Sequence, residues 1–372
     1  MSGLKIEKID VFQVDLPYSG GVYLLSGGRE YRIFDATIVR ITADNGIEGW
    51  GESTPFGSTY VAAHAYGVRA GIAEIAPCLI GLDPRRVDRI NDAMDAALMG
   101  HEHAKTAIDI ACWDIFGKSV GLPVCELLGG RTDMQLPVIS SIYAGSPEDV
   151  KTRVADHRKR GYVGHSVKIT GEPGTDATII KAALSEQLPG EFFIIDANGG
   201  LTTESALRML RLLPESLDFV LEAPCATWRE CLSLRRRSNV PMHFDELATS
   251  DASVAQIIAD DAAEGISMKI SKNGGLTKCR RQRDICISAG FTFSVQDTVG
   301  SDIAFAAIVH LAQTVPERYL RCILETRDMV TLKTADGPYE VRNGRLTAPT
   351  VPGLGVQPRM DVLGKPVATY MR

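Results

Sequence analysis

Short apolar runs that end in a charged residue recur at nearly equal intervals in the middle of the chain. Five successive runs end at Lys168, Asp196, Glu222, Asp245 and Lys269, which are 28, 26, 23 and 24 residues apart. Each interval has room for one strand, one helix and two loops, the repeating unit of a (β/α)8 barrel. The spacing therefore predicts that the five side chains meet at the mouth formed by the carboxyl ends of the strands.

The remaining chain fits one barrel with a cap. Apolar runs begin near Leu136, Gly164, Phe192, Phe219, Pro241, Ile266, Phe291 and Tyr319, and eight strands are what such a barrel requires. Before them, apolar and polar residues alternate along parts of residues 1–60, as is typical of strands. Residues 61–121 follow a helical period, and their last helix, around 104–118, has one apolar face. We predict an α/β fold: an N-terminal α+β capping domain (1–130), a catalytic modified TIM barrel (131–327) and a C-terminal segment (328–372) that packs back on the cap.

The composition limits the kinds of molecule that the chain is expected to bind. The net charge of −6 gives no reason to expect nucleic acid or a membrane surface. No apolar stretch approaches the roughly 20 residues of a membrane span, and the first residues lack the apolar core of a signal peptide. The eight cysteines show no C-x-x-C spacing, which argues against a zinc site and fits free thiols in a reducing compartment. We expect a cytoplasmic homo-oligomer that binds a small molecule.

The three acidic residues predict a metal site. Asp196, Glu222 and Asp245 would repel one another strongly at one barrel mouth unless a cation lay between them. Ligation by oxygen alone favours Mg²⁺, for which Mn²⁺ is a possible substitute.

The two lysines predict proton transfer. Lys168 and Lys269 belong to the second and sixth strands, on opposite sides of such a barrel. Beside a bound cation the pKa of a lysine falls, so that it can act as a base near neutral pH. Two such groups on opposite faces of a carboxylic acid allow racemisation, epimerisation or β-elimination at the carbon next to the carboxylate.

Longer motifs add a family resemblance that covers essentially the whole chain. The segments that carry it are 104–118, 127–130, 196–198, 245–246 and 269–275. In these segments the chain resembles the mandelate racemase/muconate lactonizing enzyme branch of the enolase superfamily. The resemblance implies that the three acidic residues are Mg²⁺ ligands and that the two lysines are the catalytic acid/base pair.

Residues beside the ligands are expected to support them. Asn198 and Glu246 follow ligand positions, and we expect Glu246 to act from behind Asp245, although it is the rival ligand on its strand. The family usually has Lys-x-Lys on the second strand, where this chain has Ser166-Val167-Lys168. We expect His165 or Ser166 to reshape that end of the pocket.

Substrate specificity in this family comes from two loops of the first domain, which here would be 18–32 and 54–60. Tyr23, Phe56 and Tyr60 are the candidate residues that shield the substrate from water. Sequence around Tyr23 and on the second strand is similar to a group of the branch that acts on proline derivatives.

Asp297 ends the seventh strand run, and we interpret it as a counter-charge for a substrate ammonium. Dipeptide epimerases of the branch carry Asp-x-Asp there, whereas this chain has Val295-Gln296-Asp297, which argues against dipeptide epimerisation.

The leading hypothesis is dehydration of cis-3-hydroxy-L-proline to a cyclic imine acid by abstraction of the proton alpha to the carboxylate. The main alternative is 2-epimerisation of proline betaine or hydroxyproline betaine by the same residues. A dipeptide epimerase and an acid-sugar dehydratase are further alternatives. A fold alone does not establish an activity, but the presence of all five charged site residues argues against a non-catalytic binding protein.

Overall fold

A computed structural model describes residues 3–372 and begins with an antiparallel sheet followed by helices. The strands of this part are β1 (Ile6–Pro17), β2 (Tyr23–Leu25), β3 (Arg29–Tyr31), β4 (Ile33–Ala43) and β5 (Glu48–Ser53). The helices are α1 (Ala65–Leu79), α2 (Val87–Ala97), α3 (Glu102–Val120) and α4 (Val124–Leu127). Strands β1, β4 and β5 form one sheet, whereas β2 and β3 pair separately as a hairpin around a short 3₁₀ turn at Ser26–Gly28.

Eight parallel strands then close into a barrel, as the sequence predicts. They are β6 (Leu136–Ile142), β7 (Gly164–Lys168), β8 (Phe192–Asp196), β9 (Val220–Glu222), β10 (Met242–Phe244), β11 (Gly265–Lys269), β12 (Thr292–Gln296) and β13 (Leu320–Leu324). Pairing of β13 with β6 completes the circle. The α/β class and the modified TIM barrel with its capping sheet are thereby confirmed.

Helices follow the barrel strands, and all but one short helix at the barrel mouth cover the outside of the barrel. They are α5 (Pro147–Lys159), α6 (Pro173–Ala183), α7 (Thr203–Arg211), α8 (Trp228–Arg235), α9 (Asp251–Ala259), α10 (Ile270–Asn273), α11 (Leu276–Ala289) and α12 (Asp302–Ala312). Several begin at a capping side chain: Ser146 accepts from the amide of Asp149, and Thr202 and Ser250 form capping boxes. Such caps satisfy amides that have no partner inside the helix.

The chain after β13 departs from the barrel repeat. Instead of a long helix it forms a 3₁₀ turn (Thr326–Met329) and short elements: β14 (Ala335–Asp336), β15 (Arg345–Leu346), β16 (Gln357–Pro358), α13 (Met360–Leu363) and β17 (Ala368–Met371). Strand β17 pairs with β1 and extends the first sheet to four strands in the order β17-β1-β4-β5. The division of the chain at residues 130 and 327 stays a prediction.

Helix α3 joins the cap to the barrel. The sequence predicted one apolar face, but 14 of its 19 residues are buried, because it packs on β4 and β5 of the sheet and also on α10 and α11 of the barrel. The glycines of β5 allow this contact, since a Cβ at Gly51 would lie 2.0 Å from the carbonyl oxygen of Ala107.

Buried carboxylates strengthen the joint between the cap and the barrel. Asp109 of α3 accepts hydrogen bonds from the amide and hydroxyl of Thr277 at the start of α11. Glu52 of β5 accepts from the amides of Ser301 and Ala304 at the start of α12, at 2.8 and 3.1 Å. A carboxylate at a helix N-terminus satisfies unpaired amides and interacts favourably with the helix dipole.

All eight cysteines are free thiols in the described part of the chain, and seven of them are buried. Between residues 3 and 372, every helix is too short or too polar to cross a membrane.

Candidate active site

Three carboxylates converge at the carboxyl ends of neighbouring barrel strands. Asp196 ends β8, Glu222 ends β9, and Asp245 follows the last residue of β10. Each residue is only 1% exposed, and one carboxylate oxygen from each lies within 4.8 Å of the other two. The register explains the convergence, because Asp196 pairs with Glu222 across the two parallel strands.

The chemistry of this triad fits a divalent cation. Burial, and after it the negative charges of Asp196 and Asp245, raises the pKa of Glu222 to about 8. Glu222 Oε1 is also buried without a hydrogen-bond partner among the described residues. An unpaired carboxylate oxygen in a cluster of three acids is costly unless a cation binds there. The oxygen-only donor set suits Mg²⁺.

Two lysines flank the triad. Lys168 ends β7 and Lys269 ends β11, so four strand positions separate them in an eight-stranded barrel and they face each other across its mouth. The ammonium of Lys168 donates to Asp196 Oδ2, and that of Lys269 donates to Asp245 Oδ2 at 2.5 Å. Each lysine therefore contacts a different carboxylate of the triad.

The same contacts control the charge of the lysines. Burial alone would lower the pKa of Lys168, but the negative charge of Asp196, together with its hydrogen bond to the ammonium, outweighs burial and raises that pKa. For Lys269 burial acts in the same direction and is likewise outweighed, chiefly by Asp245. A cation on the triad would oppose this effect and lower the pKa of both lysines.

A second layer of polar groups holds the acidic triad. Asn198 donates from its backbone amide to Asp196 Oδ1 at 2.8 Å, and from its side chain to Asp196 Oδ2 and Glu246 Oε1 at 3.0 and 3.1 Å. Burial, followed by the charge of Asp245, raises the pKa of Glu246 to about 7. Asn198 thus bridges β8 and the loop after β10, behind the triad.

Lys272 is a residue to which the sequence had assigned no role. Its ammonium donates to the backbone oxygen of Asp245, and to Asp245 Oδ1 at 2.7 Å. Asp245 therefore contacts two lysines, and their positive charges lower its pKa although burial alone would raise it. The signal in the sequence was the spacing of three from Lys269, which brings Lys272 back to the barrel mouth on the short helix α10.

The lysines face a small cavity whose walls come from both the cap and the barrel. Its lining includes Tyr23, Phe56, Tyr60, Ser166, Lys168, Asn198, Lys269 and Asp297. Tyr23, Phe56 and Tyr60 form an aromatic chain with ring centroids 5.1 and 5.4 Å apart.

Two of these aromatic residues make polar contacts that the sequence did not predict. Tyr23 shares a 2.6 Å hydrogen bond with Ser141. The hydroxyl of Tyr60 donates to Asp245 Oδ2 at 3.1 Å and accepts from Lys269.

The structure shows which of His165 and Ser166 lies at the end of the pocket where the family usually has a further lysine. Ser166 lines the cavity. The side chain of His165 points to the other side of β7, where its Nε2 lies 2.8 Å from Glu191 and its Nδ1 lies 3.3 Å from Ser140. Successive side chains of a strand alternate between its faces, so only Ser166 can share the face of Lys168.

Asp297 lines the cavity, but its carboxylate already accepts several hydrogen bonds. The donors are the amide and hydroxyl of Ser271 and the amide of Thr298. Burial is the main reason that the pKa of Asp297 rises to about 7. Asp297 therefore fixes the start of α10 next to Lys269, and its contact with a substrate ammonium stays a prediction.

Comparison with known proteins identifies the family. Residues 149–362 match the enolase C-terminal domain-like family, and residues 34–129 match the N-terminal domain of mandelate racemase/muconate lactonizing enzymes. The chain belongs to the mandelate racemase/muconate lactonizing enzyme branch of the enolase superfamily. The chain is 41% identical to the cis-3-hydroxy-L-proline dehydratase of Roseibium aggregatum, over 99% of its own length and 100% of the length of that protein.

Two crystal structures described as mandelate racemase/muconate lactonizing enzymes are closely similar to this chain. A structure from Aspergillus oryzae is 72% identical, with a TM-score of 0.95, covering 99% of this chain and 100% of that one. A structure from Roseovarius nubinhibens, complexed with magnesium, is 52% identical with a TM-score of 0.97, covering 98% of this chain and 100% of the other. The family resemblance seen in the sequence is confirmed, and the chain is an enzyme of this superfamily.

Proposed function

We propose that this enzyme is a Mg²⁺-dependent dehydratase of cis-3-hydroxy-L-proline, with Mn²⁺ as a possible substitute metal. The observation that carries the proposal is the placement of Lys168 and Lys269 on opposite sides of the acidic triad, each in contact with a different carboxylate. The 41% identity to a dehydratase of this substrate supports the choice of reaction.

The stereochemistry of the substrate matches two groups on opposite faces. In cis-3-hydroxy-L-proline the hydroxyl lies on the same ring face as the carboxylate, so the α proton lies on the other face. Loss of water is then an anti elimination, which needs a base on one face of the ring and an acid on the other. Lysines on opposite sides of the barrel mouth provide this arrangement.

The proposed reaction uses both lysines once. One lysine, as a neutral amine, takes the α proton. The other, as an ammonium, gives a proton to the departing 3-hydroxyl, so that the C–O bond breaks and water leaves. The enamine acid that remains then tautomerises to the cyclic imine acid. Which lysine is the base stays open.

Other residues would bind the substrate and protect the reaction. A divalent cation held by Asp196, Glu222 and Asp245 would supply positive charge for the substrate carboxylate as negative charge develops on it. The aromatic chain from Tyr23 to Tyr60 would exclude water from the ring. Asp297 would lie near the ring nitrogen.

The test is ¹H NMR of cis-3-hydroxy-L-proline in D₂O with enzyme and Mg²⁺. We expect formation of the imine acid. The matched control is trans-3-hydroxy-L-proline, whose α proton and hydroxyl share one face; it should eliminate far more slowly. Absence of both elimination and α-deuterium incorporation with the cis isomer would contradict the proposal.

The same NMR measurement distinguishes the proposed dehydration from the alternative reaction, 2-epimerisation. With proline betaine or hydroxyproline betaine, α-deuterium incorporation and inversion would indicate 2-epimerisation. Both reactions use the same pair of lysines, and only a leaving group next to the α carbon permits elimination.

A further inference from the structure

Arg29 connects three separate segments around the cavity. Its guanidinium donates to the backbone oxygen and the hydroxyl of Ser26 at 3.0 and 2.9 Å, within the hairpin formed by β2 and β3. It also donates to the backbone oxygen of Thr59 at 3.1 Å and to that of Asn198 at 3.3 Å. One side chain therefore ties both cap loops to the barrel loop that follows β8.

The local backbone brings Arg29 into this position. Gly27 and Gly28 have φ values of 70° and 72°, a left-handed conformation that favours glycine. The resulting turn folds Arg29 back on Ser26, which is 1% exposed. Ser26 also lies against the barrel, because a Cβ at Gly200 would be 2.6 Å from the Cβ of Ser26.

Each partner of Arg29 outside the hairpin is directly linked to the site. Thr59 precedes Tyr60, whose hydroxyl contacts Lys269 and Asp245. Asn198 supports Asp196 through two hydrogen bonds. The position of the guanidinium is therefore coupled to one side chain of the proposed acid/base pair and to one proposed metal ligand.

Tyr60 separates the active-site cavity from two outer cavities. It lines all three. One outer cavity lies beside residues 61–64 and 101–104, and the other beside residues 223–226 and Arg29 itself. A displacement of Tyr60 would open the active-site cavity toward these outer cavities.

We propose that Arg29 is a positioning residue that latches the two cap loops over the site and holds Tyr60 against Lys269. Substrate enters when the latch opens and Tyr60 moves aside. Closure then restores the contacts of Tyr60 and excludes water during proton transfer. The inference concerns access to the site and does not depend on which carboxylic acid is the substrate.

The first test is hydrogen exchange of the full-length, Mg²⁺-loaded protein without substrate. In Arg29→Gln, amides of peptides spanning residues 22–31 and 57–64 should exchange faster, on the order of tenfold or more. These peptides include the amides of Gly27 and Tyr60, which are hydrogen-bonded to Thr170 and Gly57. The control is Arg32→Gln, since the Arg32 side chain is 65% exposed and its ion pair with Glu30 spans 3.7 Å.

The second test compares kinetics on the substrate found by NMR. Arg29→Gln should lower kcat/KM by about tenfold or more, and Arg29→Lys should recover part of the loss because it can make only some of the four hydrogen bonds. The latch proposal would be overturned if hydrogen exchange in both peptides of Arg29→Gln matched that of the wild type. It would also be overturned if Arg32→Gln raised the exchange of these peptides equally. The exchange result stands whatever the substrate proves to be.

Discussion

Lys168 and Asp196 occupy paired positions on the neighbouring strands β7 and β8, and the lysine ammonium donates a hydrogen bond to the aspartate carboxylate. On the other side of the triad Lys269 makes the equivalent hydrogen bond to Asp245, which follows the end of β10. Each group of the proposed acid/base pair thus contacts a proposed metal ligand. The charge at the triad and the pKa of the lysines are therefore linked, and a cation bound by the triad would lower the pKa of both lysines.

Replacing Glu222 with Gln should weaken Mg²⁺ binding by about tenfold or more, since it removes one of three ligand charges at nearly constant shape. Isothermal titration calorimetry measures the affinity, and excess chelator should abolish turnover of the wild type. Glu215→Gln, on an exposed residue, is the matched control. Normal affinity and turnover in Glu222→Gln would remove Glu222 from the ligand set.

Lys168→Ala and Lys269→Ala should each reduce net turnover by a factor of roughly 10² to 10⁴, because one face loses its base and the other its acid. The variant that keeps the base should still exchange the α proton with solvent, which NMR in D₂O detects. Lys181→Ala, an exposed lysine of α6, should behave like the wild type. If both variants turned over at near-normal rates, proton transfer would have to be assigned to other groups.

The raised pKa of Asp297 predicts a pH dependence. With a pKa of about 7 the carboxyl group is neutral below that pH and charged above it. A substrate with a cationic ring nitrogen should therefore bind better as pH rises through about 7, and kcat/KM reports this for the free enzyme. The rise should be absent in Asp297→Asn. An identical pH profile in the variant would limit Asp297 to its hydrogen bonds with Ser271 and Thr298.

Glu52→Gln should destabilise the protein by about 1–3 kcal/mol, because the amide of Gln would turn a donor toward the backbone amides at the start of α12. Urea unfolding with circular dichroism measures the change in the free energy of unfolding. Glu74→Gln, on an exposed residue of α1, should leave stability within about 0.5 kcal/mol of the wild type. A similarly small effect at Glu52 would show that its hydrogen bonds do not hold the cap on the barrel.

The barrel and the convergence of its five charged residues could be predicted from the sequence. Residues at the carboxyl ends of parallel strands lie along the same edge of the barrel, so equal spacing in the sequence places them together. Each predicted strand start lies within one residue of the observed one. Helix α3 could not be predicted as fully buried, since its second partner surface comes from α10 and α11, more than 150 residues later in the chain.

Contacts between distant segments also escaped the sequence. Tyr60 was expected as part of an apolar wall, yet its hydroxyl contacts Lys269. Nothing near Arg29 in the sequence indicates that Thr59 and Asn198 would lie beside it. Such contacts depend on how the cap is placed on the barrel, which local patterns do not encode.

The pairing of β17 with β1 has a consequence for how the protein is made. Strand β1 begins at residue 6 and its edge partner β17 ends at residue 371, so nearly the whole chain lies between them. On the ribosome, every barrel strand is synthesised before β1 can gain this neighbour. The fourth strand of the capping sheet therefore becomes available only after every strand of the barrel has been synthesised.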